Sequence, residues 1–254
     1  MNRVNVLGVG ISVLNLETAL AAIAEAVGQR RKGYICVTGV HGVMEAQQNA
    51  AFKRILNQAF LCTPDGMPMV WAGKLNGHRG MGRVYGPDLM LAVGAWSEQS
   101  GARHFFYGGA EGVADRLGQQ LRARFPKLVV AGTYTPPFRA LTPEETTQLQ
   151  SKVAAARPDI LWVGLSTPKQ EKFMAEFLPQ LETTLMIGVG AAFDFHTGRV
   201  RQAPRWMQRS GLEWFFRLAC EPRRLAGRYL RNNPRFVWQA LGQLAGWKKY
   251  SLDS

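Results

Sequence analysis

Residues 186–231 read MIGVGAAFDFHTGRVRQAPRWMQRSGLEWFFRLACEPRRLAGRYLR. The apolar run 185–189, which enters this segment, is typical of a buried strand. The small residues that follow, Gly188 and Gly190 among them, let a ligand approach the backbone. An acidic and aromatic stretch at 193–196 then leads into basic sequence rich in Trp and Phe. This order indicates an enzyme that joins a soluble phosphorylated donor to an anionic partner.

Working outward from this segment, length and composition favour a globular protein. A chain of 254 residues is long enough to form one large domain or a domain with an appendage. Its hydrophobic content of 46% excludes general disorder. Cys36, Cys62 and Cys220 lie far apart without a CxxC pair, so the sequence predicts neither a zinc site nor a disulfide framework. We therefore expect reduced thiols in a cytoplasmic protein.

The N-terminal sequence MNRVNVLGVG lacks the long apolar core and cleavage site of a signal peptide. No apolar run reaches the roughly 18–20 residues that span a bilayer. If the protein meets a membrane, we expect it to bind peripherally.

Charge is concentrated at the C-terminal end. The chain carries a net charge of +13, and residues 199–254, named here the basic tail, hold twelve Arg or Lys residues against three acidic ones. Such asymmetry indicates an anionic surface or ligand.

Before the basic tail, apolar runs alternate with helical periodicity. The predicted strands cover residues 4–9, 34–37, 60–62, 104–107, 128–132, 159–164 and 185–189. The predicted helices cover residues 16–27, 43–56, 68–75, 89–100, 113–125 and the segment from a Thr142–Glu145 capping box to residue 156. Asp88 is expected to cap the helix at 89–100. This alternation predicts an α/β fold: a Rossmann-like, mostly parallel sheet with helices on both faces.

The sequence of the basic tail lacks the strand–helix alternation of the preceding residues and predicts three or four short helical pieces. In the last piece, 236–247, the side chains of Val237, Leu241, Leu244 and Trp247 fall on one face, followed by Lys248 and Lys249. This pattern is typical of an interfacial amphipathic helix. A helix packed on the core is the alternative, and periodicity alone does not decide between them.

Several strand ends carry candidate site residues, because open α/β sheets bind ligands there. Asp65 is either a functional carboxylate or a cap for the next helix, and the lone His41 either contacts a substrate or is structural. Gly108 and Gly109 form a turn suited to a phosphate. Lys169 and Gln170 either hold a phosphate and a ribose or base edge, or belong to an ordinary capped helix.

Two other function classes are weighed against the transferase interpretation. The sequence GVGISV at 8–13 starts like a dinucleotide fingerprint, which would suit an NAD(P)-binding Rossmann oxidoreductase, but it lacks the third glycine and a downstream acidic residue. A nucleic-acid-binding module would explain the charge, yet no standard DNA- or RNA-reading motif is present. A glycine-rich loop at 77–87, with Arg79 and Arg83, is either a phosphate flap or an exposed loop.

Four segments in this order carry a specific resemblance: TPDGMPMVW (63–71), YGGAEGV (107–113), GLSTPKQEKF (164–173) and GVGAAFDFHTGRVRQAPRWMQRSGLEWFFRLACEPRRL (188–225). Together they resemble the WecG/TagA/CpsF family of bacterial glycosyltransferases over nearly the whole chain. The resemblance implies an inverting transfer of a sugar from a UDP-sugar donor to a polyprenyl-diphosphate-linked saccharide, for exopolysaccharide or other cell-surface glycans. It also implies a cytoplasmic protein associated peripherally with the inner membrane.

The same resemblance implies roles for individual residues. It makes Asp65 the general base and Thr38 a second candidate catalytic residue. The implied donor (UDP) site consists of Gly108, Gly109, Lys169, Gln170, Gly190, Phe193 and Asp194. The implied contacts to the acceptor, its lipid diphosphate or the membrane are His41, Arg205, Trp206, Arg217, Arg223, Arg224 and Arg228. The last four of these arginines either face the lipid diphosphate or close over the donor.

One position departs from the family pattern. The turn after the second predicted strand reads VTGVHG, with Gly39 where similar sequences carry an asparagine and with Thr38 beside it. A changed sugar contact leaves two donor classes open, a plain hexose such as glucose and an N-acetylhexosamine.

The sequence also predicts what accompanies the reaction. No Asp-x-Asp pair occurs, and Asp194 with His196 makes a poor metal site, so we expect a metal-independent enzyme without a cofactor. We expect a core at 1–198 and an appendage at 199–254 that serves the acceptor and the membrane. Nucleic acid is not expected as a partner, and a homo-oligomer stays open.

Overall fold

A computed structural model of the chain describes residues 1–252; Asp253, counted above in the basic tail, lies outside the described residues. Within this part, the strands are β1 (Arg3–Val6), β2 (Val9–Ser12), β3 (Gly33–Thr38), β4 (Leu61–Pro64), β5 (Arg103–Gly108), β6 (Val129–Tyr134), β7 (Ile160–Gly164) and β8 (Leu185–Gly188). The first helices are α1 (Leu16–Gly28), α2 (Val40–Ala46), α3 (Ala50–Gln58), α4 (Met67–Leu75), α5 (Gly86–Ser100) and α6 (Val113–Arg124). They are followed by α7 (Pro143–Ala156), α8 (Lys169–Phe177), α9 (Ala192–His196), α10 (Arg205–Arg209), α11 (Glu213–Cys220) and α12 (Pro222–Leu244).

Six of the strands form one sheet in the order β4-β3-β8-β7-β5-β6. The pairs β3–β8, β7–β8, β5–β7 and β5–β6 are all parallel. Strands β3 and β8 are buried along their whole length, as expected for strands covered by helices. The predicted α/β fold with a mostly parallel sheet flanked by helices is confirmed.

The prediction of a single first strand at 4–9 followed directly by a helix was wrong. Residues 3–12 form an antiparallel hairpin, in which Val6 pairs with Val9 across a two-residue turn. Both turn residues, Leu7 and Gly8, have positive φ angles (52° and 81°), the conformation that joins two strands tightly. Asn5 supports the turn, since its Oδ1 accepts a hydrogen bond of 2.7 Å from the Gly8 amide. The apolar periodicity did not reveal this turn because Leu7 is itself apolar and fully buried.

The helix predicted at 43–56 is also corrected, because the structure has two helices, α2 and α3. Asn49 begins the second one, with its Oδ1 accepting a hydrogen bond of 2.9 Å from the Phe52 amide. This N-cap favours a fresh helix start over continuation. Asp88 was wrongly expected to be a cap, since α5 already begins at Gly86 and Asp88 lies in its first turn. The Thr142–Glu145 capping box is confirmed.

The end of the basic tail is one helix rather than separate pieces. Helix α12 runs for 23 residues and continues through Pro234, so the piece predicted at 236–247 is the second half of a longer helix that ends at Leu244. Packing outweighs the hydrogen bond that the proline removes. Leu225 and Phe236 are buried on one side of α12. Gln243, near its end, accepts a hydrogen bond from the Leu7 amide at 2.9 Å and donates one to the Asn5 carbonyl at 3.0 Å.

Contacts divide the chain into two compact units. The first unit comprises residues 1–15, 37–85 and 201–254, and the second comprises residues 16–36 and 86–200. The first holds the N-terminal hairpin, helices α2 to α4, strand β4 and helices α10 to α12. The second holds most of the sheet with helices α1 and α5 to α9. A boundary near residue 198 between core and appendage stays a prediction.

The second unit has a polar network inside its core. Trp162, 1% exposed, donates from Nε1 to His104 Nδ1 at 2.9 Å, and His104 Nε2 lies 2.8 Å from Ser97 Oγ. Burial lowers the pKa of His104 to about 4, so the ring is neutral at physiological pH. Each polar atom in this network is paired, which is how such groups are tolerated in a core. We assign His104 a structural role.

Across residues 1–252, none of the helices is both long enough and apolar enough to cross a bilayer.

Candidate active site

Asp65 lies directly after strand β4, in the first unit. Its amide donates a hydrogen bond of 2.9 Å to the Thr38 carbonyl, which ties the turn after β4 to the end of β3. The next helix, α4, has Gly66 as its N-cap, and no side chain caps it. Asp65 therefore does not cap the helix, and its carboxylate is available for other chemistry.

The Asp65 carboxylate faces an arginine that it shares with a second acid. Arg83 Nη2 lies 3.5 Å from Asp65 Oδ1 and also makes a short ion pair with Glu213. The Arg83 guanidinium stacks 4.1 Å from the centroid of the Tyr85 ring, and its side chain is only 14% exposed. Arg83 is thus shared between two carboxylates, those of Asp65 and Glu213.

This environment raises the pKa of Asp65 to about 6. Desolvation of the carboxyl by the surrounding protein is the main cause, although 31% of the side chain is still exposed, and Glu213 raises the pKa further. Arg83 and Arg217 act in the opposite direction and lower it. A carboxylate whose pKa lies just below neutrality is deprotonated at physiological pH and is a stronger base than an ordinary aspartate.

Thr38, at the end of strand β3, and Gly39, which follows it, contact the turn that carries Asp65. Thr38 is 2% exposed, and its Oγ1 accepts a hydrogen bond of 3.3 Å from the Cys62 thiol. The backbone of Gly39 comes so close that a Cβ atom there would lie 2.8 Å from the Asp65 carbonyl oxygen. The glycine at the position that departs from the family pattern thus permits a close approach to Asp65 that an asparagine would disturb.

His41, at the start of α2, is held by neighbours in the same unit. Its Nδ1 lies 3.2 Å from Asn232 Nδ2 and 3.7 Å from Glu45 Oε1. Asn232 is 1% exposed and belongs to α12, so this contact joins His41 to the basic tail.

Three of the predicted acceptor arginines lie near one another in the first unit. Burial is the main cause that lowers the pKa of Arg228, and repulsion from Arg224 and Arg217 lowers it further. Arg224 is paired with Glu221 at 2.6 Å. Partly buried cations that repel one another favour a bound anion. Among the other predicted contacts, Arg205, Trp206 and Arg223 are exposed.

In the second unit, the glycine turn after β5 is packed against the end of β7. Gly108 and Gly109 have φ angles of 119° and 76°, and the Gly109 amide donates to the Gly164 carbonyl at 3.1 Å. A Cβ atom on Gly108 would lie 2.8 Å from that carbonyl, so the strands approach as closely as only glycine allows. Phe193, 1% exposed, lies against Gly109 and Gly164 and shapes this turn from inside.

Gln170 lies beside the end of β8, next to Gly188 and Gly190. It is 3% exposed, and its Nε2 donates to Glu171 Oε1 at 3.0 Å. Thr167 Oγ1 donates to the same carboxylate oxygen at 2.8 Å, which fixes the pair in place. Burial raises the pKa of Glu171, against the lowering effect of these hydrogen bonds. Gln170 Oε1 accepts no hydrogen bond within the described residues, and a buried acceptor of this kind is satisfied by a donor from a ligand or an ordered water.

The remaining predicted donor residues are more open. Lys169 is exposed at the start of α8, and Asp194 forms an ion pair of 3.6 Å with Arg199. His196 donates from Nε2 to the Pro87 carbonyl at 3.1 Å. Among residues 1–252, no three His, Cys, Asp or Glu side chains are grouped so that they could hold a metal ion. Metal independence stays a prediction.

The structure thus brings Gly108, Gly109, Gln170, Gly190 and Phe193 together in the second unit, and Asp65, Thr38 and the arginines of α11 and α12 in the first. Sequence reasoning missed Glu213 and Tyr85, and treated Arg83 only as part of a loop. The signal available for Glu213 was its place within the long segment 188–225 that carries the family resemblance.

Comparison with known proteins identifies the family of the chain. The model of the glycosyl transferase WecG/TagA/CpsF family matches residues 4–250. One similar protein is an N-acetylglucosaminyldiphosphoundecaprenol N-acetyl-beta-D-mannosaminyltransferase of Bacillus spizizenii (strain W23), 30% identical over 84% of this chain and 80% of the relative. A protein of the same name from Bacillus subtilis (strain 168) is 30% identical over 66% of this chain and 64% of the relative. The match runs through both units and decides against the oxidoreductase interpretation: the chain belongs to the WecG/TagA/CpsF family of glycosyltransferases.

Proposed function

We propose that the protein transfers a sugar from a UDP-sugar to a hydroxyl of a polyprenyl-diphosphate-linked saccharide, with inversion at the anomeric carbon. The observation that carries this proposal is the desolvated Asp65 carboxylate, whose pKa is raised to about 6, in a chain that belongs to a glycosyltransferase family. The names of the two Bacillus relatives, which describe transfer to an undecaprenol-diphosphate-linked sugar, support the acceptor class.

In the proposed step, Asp65 removes the proton of the acceptor hydroxyl as its oxygen attacks the anomeric carbon of the donor. The bond from that carbon to the UDP oxygen breaks, and UDP leaves with the bonding electron pair. Attack opposite the leaving group inverts the configuration. A base whose pKa lies near the working pH suits this role, because it is deprotonated before the step and accepts the proton during it.

Arg83 and Glu213 are positioning residues in this proposal. Arg83 holds the Asp65 carboxylate from one side, while Glu213 neutralises Arg83 so that the pKa of Asp65 does not fall too far. Thr38 supports the backbone of the Asp65 turn through its carbonyl. Loss of either positioning residue is expected to change the basicity of Asp65 while leaving the base itself in place.

The acceptor diphosphate is proposed to bind the cations of the basic tail. Arg217 and Arg224 are each close enough to repel Arg228, and a diphosphate would relieve this repulsion. Exposed residues such as Arg205, Trp206 and Arg223, together with His41, extend this candidate contact surface. The exposed apolar side chains of α12 suit peripheral association with the cytoplasmic face of the inner membrane.

The UDP portion of the donor is proposed to bind the second unit. Positive φ angles at Gly108, Gly109 and Gly190 turn the backbone just after strands of the sheet, and Gln170 Oε1 offers an acceptor to a ribose hydroxyl or a base N–H. Lys169 in this set is exposed, and Asp194 is half-buried and paired with Arg199. The proposal is metal-independent, so the charge of the leaving UDP is stabilised by protein cations and backbone amides. Hexose and N-acetylhexosamine donors both stay open.

A transfer assay tests the proposal. Purified protein is incubated with a panel of UDP-sugars and a polyprenyl-diphosphate saccharide, with magnesium or with a chelator. We expect sugar transfer to the lipid-linked product, release of UDP and equal rates under both conditions. Transfer only with magnesium would contradict metal independence, and no transfer from any UDP-sugar would contradict the donor class.

A further inference from the structure

Two consecutive polar residues, Gln170 and Glu171, are buried at the start of helix α8 in the second unit. They are 3% and 1% exposed, whereas their neighbours Lys169 and Lys172 are exposed. Successive residues of a helix point in directions about 100° apart, so a single packing surface does not account for the burial of both. A buried carboxyl group is costly unless it is used. Glu171 therefore calls for a role, and the proposed function gives one only to Gln170.

Glu171 determines which end of the Gln170 amide lies next to it. Its Oε1 atom receives two hydrogen bonds, from Gln170 Nε2 at 3.0 Å and from Thr167 Oγ1 at 2.8 Å. A carboxyl oxygen that receives two donors acts as an acceptor, so it attracts the NH2 group of Gln170 and repels the carbonyl oxygen. The carbonyl oxygen of Gln170 is thereby directed away from Glu171.

The Gln170 carbonyl oxygen lies beside the turn that follows strand β8. Oε1 is 3.5 Å from the position that a Cβ atom on Gly190 would take, while Nε2 is 3.2 Å from the corresponding position on Gly188. The Leu165 carbonyl oxygen lies 3.6 Å from the same point on Gly190. Gln170 Oε1 has no hydrogen-bond partner within residues 1–252. The space beside Gly190 is thus flanked by two acceptor oxygens, which suits a ligand group that donates.

We infer that Glu171 is a positioning residue of the donor site and acts through Gln170. The two ends of a side-chain amide have nearly the same shape, so an unrestrained glutamine presents either its NH2 group or its oxygen. By holding the nitrogen, Glu171 keeps the oxygen directed at the Gly190 turn, where it accepts from a base N–H or a ribose O–H of UDP. The inference rests on the proposed function and extends it, because it explains why this part of the site accepts hydrogen bonds.

Glu171→Gln tests the inference, because it preserves size and changes only hydrogen bonding. Both donors reach Oε1 of Glu171, and no side chain within the described residues donates to Oε2. In the variant, an NH2 group at the Oε2 position would be an unpaired buried donor, so the NH2 group is favoured at the Oε1 position. There it donates to the Gln170 oxygen and reverses the Gln170 amide. An NH2 group then faces the donor of the ligand.

The measurement is a calorimetric titration of the whole chain with UDP. The proteins are the unchanged chain, Gln170→Ala, Glu171→Gln, the double variant and Glu176→Gln, each checked for folding by its melting curve. Glu176 is an exposed acid of the same helix, so its variant is the matched control and should bind UDP normally. Glu171→Gln should weaken UDP binding about tenfold. The double variant should bind no more weakly than Gln170→Ala, because Glu171 acts only through Gln170.

Additive losses in the double variant would show that Glu171 stabilises the second unit without orienting Gln170, and would overturn the inference. Unchanged UDP affinity of Glu171→Gln would overturn it as well. Both results leave the proposed function intact. If Gln170→Ala binds UDP as tightly as the unchanged chain, the proposed donor site itself is wrong, and the inference falls with it.

Two analogues of UDP identify the donating group and require no change at Glu171. CDP replaces the base N–H with an acceptor, and dideoxy-UDP lacks both ribose hydroxyls. The analogue that lacks the partner of Gln170 should bind the unchanged chain at least about tenfold more weakly than UDP does. Gln170→Ala should bind that analogue as tightly as it binds UDP. If both proteins disfavour each analogue equally, Gln170 Oε1 accepts from neither group and the inference is wrong.

Discussion

The surroundings of Asp65 and the glycine turns around Gly108 are equipped for different tasks. In the first unit, burial is the main cause that raises the pKa of Asp65 to about 6; Glu213 raises it further, whereas Arg83 and Arg217 lower it. In the second unit, the ends of β5, β7 and β8 present backbone atoms, a neutral glutamine and few exposed charges. The first region is suited to moving a proton and holding an anion, and the second is suited to recognising a ligand by hydrogen bonds and shape.

Because of this difference, substitutions in the two units should impair different properties of the enzyme. A change near Asp65 should alter turnover or its pH dependence, because the charge on one carboxylate is affected. A change near Gly108 or Gln170 should alter donor affinity, because these residues belong to the proposed UDP site. If this is right, a variant near Asp65 should lose turnover without losing donor affinity, and a variant near Gln170 should lose donor affinity.

The largest effect is expected for Asp65→Asn. Asparagine has the same shape but cannot accept the proton of the acceptor hydroxyl, so kcat should fall at least about a hundredfold. The measurement is the initial rate of sugar transfer at saturating substrates. The same substitution at the exposed Asp115 is the control and should retain full activity. Normal turnover by Asp65→Asn would show that another group is the base.

A smaller loss is expected for Gly39→Ala. The added Cβ atom would lie 2.8 Å from the Asp65 carbonyl oxygen, so the turn that carries the base must shift. Misplacement of a catalytic group by a fraction of an ångström should lower kcat about tenfold. Gly28→Ala is the control, because nothing lies within 4 Å of its Cβ position. Equal activity of the two variants would argue that the Asp65 turn tolerates movement.

The pH profile should move in opposite directions for two positioning variants. Because the base must be deprotonated, kcat/KM of the unchanged protein should rise with pH through about 6 and then level off. Glu213 raises the pKa of Asp65 and Arg83 lowers it. Glu213→Gln should therefore shift the midpoint to lower pH, and Arg83→Gln should shift it to higher pH, each by about one unit.

Glu221→Gln is the control for charge, since Glu221 pairs with Arg224 and does not contact Arg83. Its profile should match that of the unchanged protein. If both Arg83→Gln and Glu213→Gln shift the midpoint in the same direction, the shared cation does not set the basicity of Asp65.

The smallest effect is on stability. The pKa of Asp65 is higher in the folded protein than in the unfolded chain, so the folded state binds its proton more tightly and loses stability as pH rises from about 4 to about 6. Asp65→Asn should therefore raise Tm at pH 7.5 by roughly 2–6 °C. This gain should shrink as pH falls from 6 to 4. A variant that melts lower than the unchanged protein at pH 7.5 would show that the bond to Arg83 outweighs desolvation.

The sheet was predictable because its signal is local. The buried strands β3, β7 and β8 are short apolar runs bounded by turn residues, and the Thr142–Glu145 capping box lies within four consecutive residues. The N-terminal hairpin was missed because Leu7 continues the apolar pattern through the turn. The continuous helix α12 was missed because local rules end a helix before Pro234, whereas packing of Phe236 is a tertiary effect.

The site was predictable to different extents in the two units. The glycines at 108 and 109 mark a turn in any sequence, and Gln170 stands at a helix start. The cluster around Asp65 depends on a pairing between Arg83 and Glu213, which are separated by 130 residues. No periodicity or spacing rule connects such distant positions. The raised pKa of Asp65 depends on burial and on these partners together, so it required the fold.

Calorimetric titration with UDP of three proteins tests the division of labour most directly: the unchanged chain, Asp65→Asn and Gln170→Ala. The account predicts that Asp65→Asn binds UDP as tightly as the unchanged chain. Gln170→Ala should bind UDP at least about tenfold more weakly, because alanine lacks the buried acceptor atom Oε1 that Gln170 offers to the ligand. The reverse result, with UDP affinity lost in Asp65→Asn and kept in Gln170→Ala, would contradict it.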